Sequence, residues 1–445
     1  MRFLPVFHVG FILILLNVLP AAVLGQDKSW FGENVLQTRH SGEITFGTRA
    51  NEKQVNYTFS GRWPFKVREE KDGWIRIHDG NHEGWAKKSD FVLAKEAYDY
   101  FTQRIEANPK DHFALLMRGG YWSEKKEHDK AIQDYDECLR LNPSNATAFN
   151  NRGNARLDKK EYDKAIEDFT ESIRLNSKSV TSRLGRGIAW KNKKEYDKAL
   201  NDYDETLKID PRYCNGYYHR GVVWAIKLDR DKAIADFTEA IRIDPRHVAA
   251  HYERGLAWMA KNDRDKAIED FDVTVRLDPK HAQAFYRRAV AWRGKKDNDK
   301  ALRDYSEAIR INPRYAYAIQ GRALLHRSMK NYDKAIEDYQ TVIQAEPTNA
   351  VYLNQYSWLL ATCPDAQYRN GTKAVELALK SCELTKKSTS SMEALAAAYA
   401  ETGDFAEAVK WQKLALDSLL SSPRSTDASR ERLKLYEENK PYHEK

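Results

Sequence analysis

The sequence predicts a mainly α-helical solenoid of stacked helix pairs, preceded by a small β-barrel. Three observations predict it. The word "DKAIQDYD" at Asp129 returns in close variants at Asp163, Asp197, Asp231, Asp265, Asp299 and Asp333, always at the same spacing. Residues 30–93 instead alternate apolar and polar side chains between glycine-bearing turns. The 445-residue chain opens on a short apolar run, and nothing after that run is long and apolar enough to cross a bilayer.

The opening residues are "MRFLPVFHVGFILILLNVLPAAVLGQ". Arg2 forms a short positive segment, Phe11–Leu19 an apolar core, Pro20 a helix break, and Val23-Leu24-Gly25 a cleavage site. Residues 1–25 therefore read as a signal peptide removed after Gly25, the alternative being an uncleaved membrane anchor over Phe3–Leu24. Gln26 stands where a bacterial lipoprotein needs cysteine. The mature chain is expected to be exported, periplasmic or secreted, with no membrane span after cleavage.

Hydrophobic residues make up 42% and charged residues 31%, the balance of a folded soluble chain. The net charge is +8, but the two signs are interleaved and no arginine–lysine block occurs. Nucleic-acid binding needs a clustered basic patch, so it is not expected. The four cysteines, Cys138, Cys214, Cys363 and Cys382, match no zinc spacing. Cys363 and Cys382 fall toward opposite ends of one helical hairpin, whereas a disulfide needs Cα atoms within about 7 Å. Free, buried thiols are expected.

Aligning the copies so that their shared alanine falls at position 20 gives seven ungapped repeats over 112–349. Position 8 is Gly119, Gly153, Gly187, Gly221, Gly255, Ala289 and Ala323; position 20 is alanine in all seven. Position 24 is Tyr135, Phe169, Tyr203, Phe237, Phe271, Tyr305 and Tyr339. Small residues at 8 and 20 let two antiparallel helices approach, and the ring at 24 fills the space between neighbouring pairs. Position 32 is proline in every copy but the second, where it is Ser177; proline cannot continue a helix. The aspartate of each "DKA" is expected to cap the second helix, and lysine-rich stretches such as "LDKK" close the first.

This pattern resembles the tetratricopeptide repeat family, whose helix–turn–helix units have the same period and the same small–small–aromatic–proline order. The register extends outward. Residues 94–111 align as a half repeat with a second helix only. Residues 350–422 carry two divergent repeats, the first with five inserted residues before Ala374. Residues 423–445 supply a capping helix and tail.

One departure from the family stands out. Leucine is usual at position 7, but this chain has Arg118, Arg152, Arg186, Arg220, Arg254, Arg288 and Arg322. Position 23 is Asp134, Asp168, Asp202, Asp236, Asp270, Asp304 and Asp338. The two positions fall on facing helices. A repeated Arg–Asp ion pair is expected at the seam, within a repeat or to the next, setting register more than adding stability.

Ahead of the repeats, "DGWIRI" and "EGWAKKSDFV" resemble the bacterial SH3-like barrel, and residues 30–93 are assigned to it. Pro64–Val92 reads as three strands with turns at Lys71-Asp72-Gly73 and Asp79-Gly80-Asn81. Some such domains bind cell-wall peptides or protein partners. Trp63, Trp74 and Trp85 are the candidates for a binding surface, although tryptophan at such places in a small barrel usually serves core or rim packing.

No catalytic constellation is legible. The chain has no GxGxxG following a strand, GxxxxGK[ST], GxSxG or HExxH motif. His247 and His251 stand four apart in "HVAAH" but lack a third ligand, and His281 repeats the place of His247, so no metal or cofactor is expected. A further catalytic domain needs on the order of 100 residues, and the assigned segments leave none. The O-linked N-acetylglucosamine transferases share a tetratricopeptide arm. Their asparagine run at position 6 is replaced here by Met117, Asn151, Gly185, His219, Glu253, Arg287 and Gly321.

In the repeat family a concave groove is lined by first helices at positions 2, 5, 9, 12 and 13. Here those positions place Asn150 and Asn154 beside a Tyr/aliphatic stripe of Tyr218, Val222, Tyr252, Leu256, Tyr286 and Val290. Tyrosine is large, rigid and amphipathic, and such a groove suits a peptide with apolar anchors. The resemblance implies an exported, non-catalytic scaffold binding a partner protein or peptide. The alternatives are a cell-wall-binding module acting through the SH3-like domain, or a transferase-like accessory protein without a catalytic domain.

Overall fold

The computed structural model describes residues 95–420 and 426–444, together with seven strands between 34 and 93. The expected signal peptide, Trp63 and the two expected turns at 71–73 and 79–81 lie wholly or partly outside the described residues. Two compact units divide at Asp244/Pro245.

The first unit begins with β1 (Asn34–Gln37), β2 (Glu43–Gly47), β3 (Gln54–Thr58), β4 (Phe65–Lys71), β5 (Trp74–His78), β6 (Glu83–Lys87) and β7 (Phe91–Leu93). They form one antiparallel sheet in the order β3-β2-β6-β5-β4-β1-β7. Apolar and polar residues alternate through β4 and β5, and Val67, Ile75 and Trp85 are buried. Pro64–Val92 thus holds a fourth strand where three were expected. Phe91–Leu93 pairs with β1, matching Val35 to Leu93 and Gln37 to Phe91.

The half repeat is α1 (Ala97–Ala107), whose buried Phe101 occupies the ring position of the pattern. Four helix pairs follow: α2 (His112–Glu124) with α3 (His128–Leu141), α4 (Ala146–Asp158) with α5 (Tyr162–Leu175), α6 (Val180–Asn192) with α7 (Tyr196–Ile209), and α8 (Cys214–Ile226) with α9 (Arg230–Ile243). Val92 of the sheet joins Phe101, Phe113 and Tyr135 in one core, so sheet and repeats share a hydrophobic boundary.

The second unit continues the pattern with α10 (Val248–Ala260) and α11 (Arg264–Leu277), α12 (Ala282–Gly294) and α13 (Asn298–Ile311), then α14 (Ala316–Ser328) and α15 (Tyr332–Ala345). The divergent pairs are α16 (Ala350–Thr362) with α17 (Gly371–Leu384), and α18 (Thr389–Glu401) with α19 (Phe405–Leu420). The inserted residues form a short 3₁₀ turn at Ala366–Tyr368, fastened where Arg369 donates to the Cys363 carbonyl (2.9 Å) and to Glu401 (2.8 Å). A last helix, α20 (Asp427–Glu437), buries Tyr436 against Ala396, Ala400 and Ala408.

The close approach that the small residues allow is tight. A Cβ on Gly221 would stand 2.8 Å from the Phe237 ring of the same repeat, and one on Gly185 2.5 Å from Phe169 of the preceding repeat. The ring at position 24 therefore packs on both sides, within its pair and against the next.

The capping expectation needs correction. In repeats four to six the residue two places before the "DKA" aspartate caps the second helix: Asp229, Asp263 and Asp297 accept from the backbone N–H three residues on, at 3.1–3.2 Å, whereas Glu127, Glu161, Glu195 and Asn331 hold that place without a side-chain cap. The "DKA" aspartate already lies inside the first turn, where in four copies its carboxylate instead takes a lysine of the following repeat. Lys159 meets Asp129 at 2.5 Å and Lys227 meets Asp197 at 2.6 Å; Lys193–Asp163 and Lys295–Asp265 repeat the contact. The lysine-rich turns also hold a conformational feature. The residue at position 15, Lys126, Lys160, Lys194, Leu228, Asn262, Lys296 or Lys330, adopts a left-handed φ of 60–66°.

Candidate functional site

The seam between the two helices of a pair is polar. Each position-7 arginine donates Nη2 to the aspartate of position 23, at 2.6–2.8 Å, for all seven pairs from Arg118–Asp134 to Arg322–Asp338. Nε reaches the same carboxylate, so the guanidinium grips side-on, a geometry lysine cannot copy. The aspartates are buried and the arginines half-buried. The Asp236 carboxylate holds the Arg220 guanidinium above its ordinary range.

A second contact ties five of the pairs to the pair before them. Nη1 of Arg152 meets Asp136 and that of Arg220 meets Asp204, both at 2.6 Å, and that of Arg288 meets Asp272 at 2.7 Å. Arg186 and Arg322 use Thr170 and Ser306 in the same way, at 3.1 Å. The sequence signal for this contact was a short polar residue at position 25, which the position-by-position reading missed. The arginines and aspartates thus belong to the scaffold, and the binding face must be sought elsewhere.

The first helices neighbour one another along each unit. On this face of the first unit, Asn150 is buried; it donates to Asn151 (3.2 Å) and accepts from Ser182 Oγ (3.0 Å), so its amide serves the interior. Asn154 and Val222 are half-buried. Tyr218 lies tilted against Phe237, ring centroids 6.1 Å apart.

The second unit gathers a larger aromatic group. Tyr252 packs on Phe271 (5.9 Å) and Tyr286 on Tyr305 (6.1 Å), the ring-on-ring contact of positions 5 and 24. Beyond that contact, Tyr286 meets Tyr315 at 5.3 Å and Tyr317 at 6.3 Å, and Tyr252 meets His281 at 4.8 Å. Tyr317 is 61% exposed. The Arg287 guanidinium lies over the Tyr286 ring, 5.3 Å from its centroid. Among the described residues Arg287 has no ion-pair partner, and its Nε is buried without a hydrogen bond. Burial pushes Tyr252 up, with Arg287 pulling it partly back, and burial pushes Tyr315 up as well, so these phenols stay neutral donors. Leu256 and Val290 flank the group, half-buried. Tyr315 precedes its helix and Tyr317 stands at position 2, so neither joined the stripe read from positions 5 and 9.

The histidines that sequence placed four apart act separately. His247 Nδ1 accepts from the Ala250 N–H (3.1 Å) as a helix cap, and His281 caps Ala284 likewise (3.2 Å). The His251 ring lies between Asp270 Oδ1 (3.1 Å) and the Pro245 carbonyl (3.2 Å). Among the described residues no three potential ligands gather for a metal. All four cysteines are unpaired: Cys138, Cys363 and Cys382 are buried and Cys214 is half-buried. Burial pushes the Cys138 thiol up to about 12 and Cys214 up to about 11, which keeps both unreactive at neutral pH. Of the tryptophans in the sheet, Trp85 is buried and Trp74 half-buried. No described helix is long and apolar enough to cross a membrane.

Family models of the tetratricopeptide repeat match residues 124–160, 146–179, 228–282, 282–315, 316–349 and 388–419. The chain carries tetratricopeptide repeats. Among solved structures, YrrB, titled a TPR protein with an unusual peptide-binding site, is 22% identical; the match covers 42% of this chain and 97% of YrrB, with a TM-score of 0.36. A tetratricopeptide repeat protein from Parabacteroides merdae is 17% identical over 58% of this chain and 96% of its own, TM-score 0.41. PilF of Pseudomonas aeruginosa is 15% identical over 46% and 94%, TM-score 0.43. No curated protein matches the chain significantly.

Proposed function

We propose that this array of tetratricopeptide repeats is an exported scaffold that binds a protein or peptide on its first-helix face, without catalysis of its own. The observation that carries the reading is the aromatic group around Tyr252, Tyr286, Tyr315 and Tyr317 with the uncompensated Arg287 beside it. Half-exposed tyrosines bury much area at small conformational cost, and a guanidinium held against a ring offers its edge to an acceptor. Such a surface suits a peptide with apolar side chains and a carbonyl or carboxylate group. Export is supported by the leader-like pattern of Arg2 and Phe11–Leu19.

Crosslinking capture from the native cell envelope tests this reading, comparing the mature chain with a Tyr252→Ala/Tyr286→Ala/Arg287→Ala variant. Loss of a specific partner with helicity unchanged is the expected result. An unchanged partner set would move the binding site off this face.

A further inference from the structure

The chain does not trail away after α20. Its last described residues turn back across the first helices of repeats seven to nine, and their contacts fall on groove positions 9, 12 and 13. The Glu444 carboxylate receives the Arg327 guanidinium, position 12 of α14, and the indole N–H of Trp358, position 9 of α16, at 2.8 Å. The Glu444 N–H donates to the carbonyl of Thr362, position 13 of α16, at 2.8 Å. His443 Nε2 lies 2.8 Å from the carboxylate of Glu401, position 13 of α18. The Tyr442 ring packs against Trp358, centroids 6.2 Å apart, and the Arg432 guanidinium lies near both rings, at 5.8 and 5.3 Å.

These contacts read three properties of an extended segment at once: a carboxylate, a ring two residues before it, and a backbone N–H. A segment without regular structure frays unless tied down, and this one is tied at every residue from Tyr442 to Glu444. The pieces that hold it belong to the first helices, the layer that bears the aromatic group of repeats five to seven. Remove the tail, and a guanidinium, an indole N–H and a free helix-end carbonyl face the same space.

We propose that the first-helix face of repeats seven to nine is a peptide site for a Tyr-x-Glu segment, which the chain's own Tyr442–Glu444 fills in cis. A partner segment of that chemistry would displace it. The proposal rests on the reading that first helices form the binding face, but it names a different stretch of that face and a defined ligand. A tethered segment competes at an effective concentration in the millimolar range for a short linker, so the tail sets a threshold that a partner must exceed.

The test uses a labelled peptide of residues 440–445 and fluorescence anisotropy. The full chain and a full-length Tyr442→Ala/Glu444→Ala variant are compared, with circular dichroism confirming equal helicity. The variant should bind the peptide at least tenfold more tightly than the native chain does. Adding Arg327→Ala to the variant, or placing glutamine for glutamate in the peptide, should abolish binding. Absence of binding to the opened variant, or equal binding to both chains, would overturn the proposal and leave the tail a structural clasp. The peptide readout needs no cellular partner, so it can fail while the aromatic-group reading stands, and the converse.

Discussion

In repeats five to seven an arginine at position 7 meets an aspartate at position 23; in repeats eight and nine the same places hold Tyr356 with Leu377, and Leu395 with Trp411. Both kinds of seam close a helix pair of the same design. The polar seam costs desolvation and returns it through two-pronged hydrogen bonds; the apolar seam gains directly from burial. What the polar seam adds is direction. A guanidinium forked onto one carboxylate admits one register, whereas rings and branched carbons slide. Repeat eight keeps a trace of the arrangement: Tyr356 accepts from Gln340, position 25 of the preceding repeat, at 3.2 Å, where an arginine elsewhere would reach. The ion pairs therefore suit copies that must stack identically, and the apolar seams suit the end of the array, where neighbours differ.

Crossing the two chemistries gives the largest expected effect. Leu395→Arg places a charge in a seam whose position 23 is Trp411, and an unpaired buried charge should cost more than about 4 kcal/mol. Denaturant unfolding followed by circular dichroism measures it; a loss below about 1 kcal/mol would show that the apolar seam admits an ion. Next, Arg288→Ala strands Asp304, which is 8% exposed at its side chain, and should cost about 3–5 kcal/mol. The double change Arg288→Leu/Asp304→Leu converts the polar seam to the apolar kind and should recover most of that loss. If the double variant is as unstable as the single one, the pair contributes stability and not register alone.

A smaller contrast lies in the turn. Repeat nine has Gly403 at φ 83° where regular repeats hold non-glycine residues, among them the exposed Leu228 at 65°. Leu228→Gly should raise stability by about 1 kcal/mol or less, the relief of the left-handed conformation offset by glycine's freedom when unfolded. The smallest effect concerns pH. Burial lowers the His281 pKa from its ordinary value, and its Nδ1 must stay unprotonated to accept the Ala284 N–H. The unfolded chain then binds the proton more readily, so this contribution is present above about pH 6.5 and is lost as pH falls below it. Denaturation midpoints at pH 7.5 and 5.5 should differ less for His281→Asn, which caps at either pH.

The helical scaffold was legible because a fixed period leaves little freedom: Ala131 and Tyr135 recur in register, and each recurrence restates the same packing. The Arg–Asp pairing was legible for the same reason, since two invariant opposite charges on facing helices have few other places to go. Roles that depend on a neighbouring copy were harder. Asp163 looked like a cap because a single repeat offers it only helix N–H groups; its partner, Lys193, belongs to the next repeat. Asn150 looked like a groove residue because position alone does not reveal Ser182. The aromatic group was half visible, Tyr252 and Tyr286 by position, Tyr315 and Tyr317 only by their placement in space. The tail was invisible, because no periodicity links Glu444 to the distant Arg327.

Among the described residues of the regular repeats, the arginine and lysine ion pairs between copies point one way. In each, the cation belongs to the later repeat and the acceptor to the earlier one: Arg152 to Asp136, Arg288 to Asp272, Lys159 to Asp129, Lys227 to Asp197. A chain emerging from the ribosome makes its N-terminal copies first. Repeats two, three, four and six thus arrive carrying cations for a surface already built, and none of these charges has to wait for a partner still to be translated. The order of synthesis and the polarity of the ion pairs run the same way, so growth and assembly proceed as one movement.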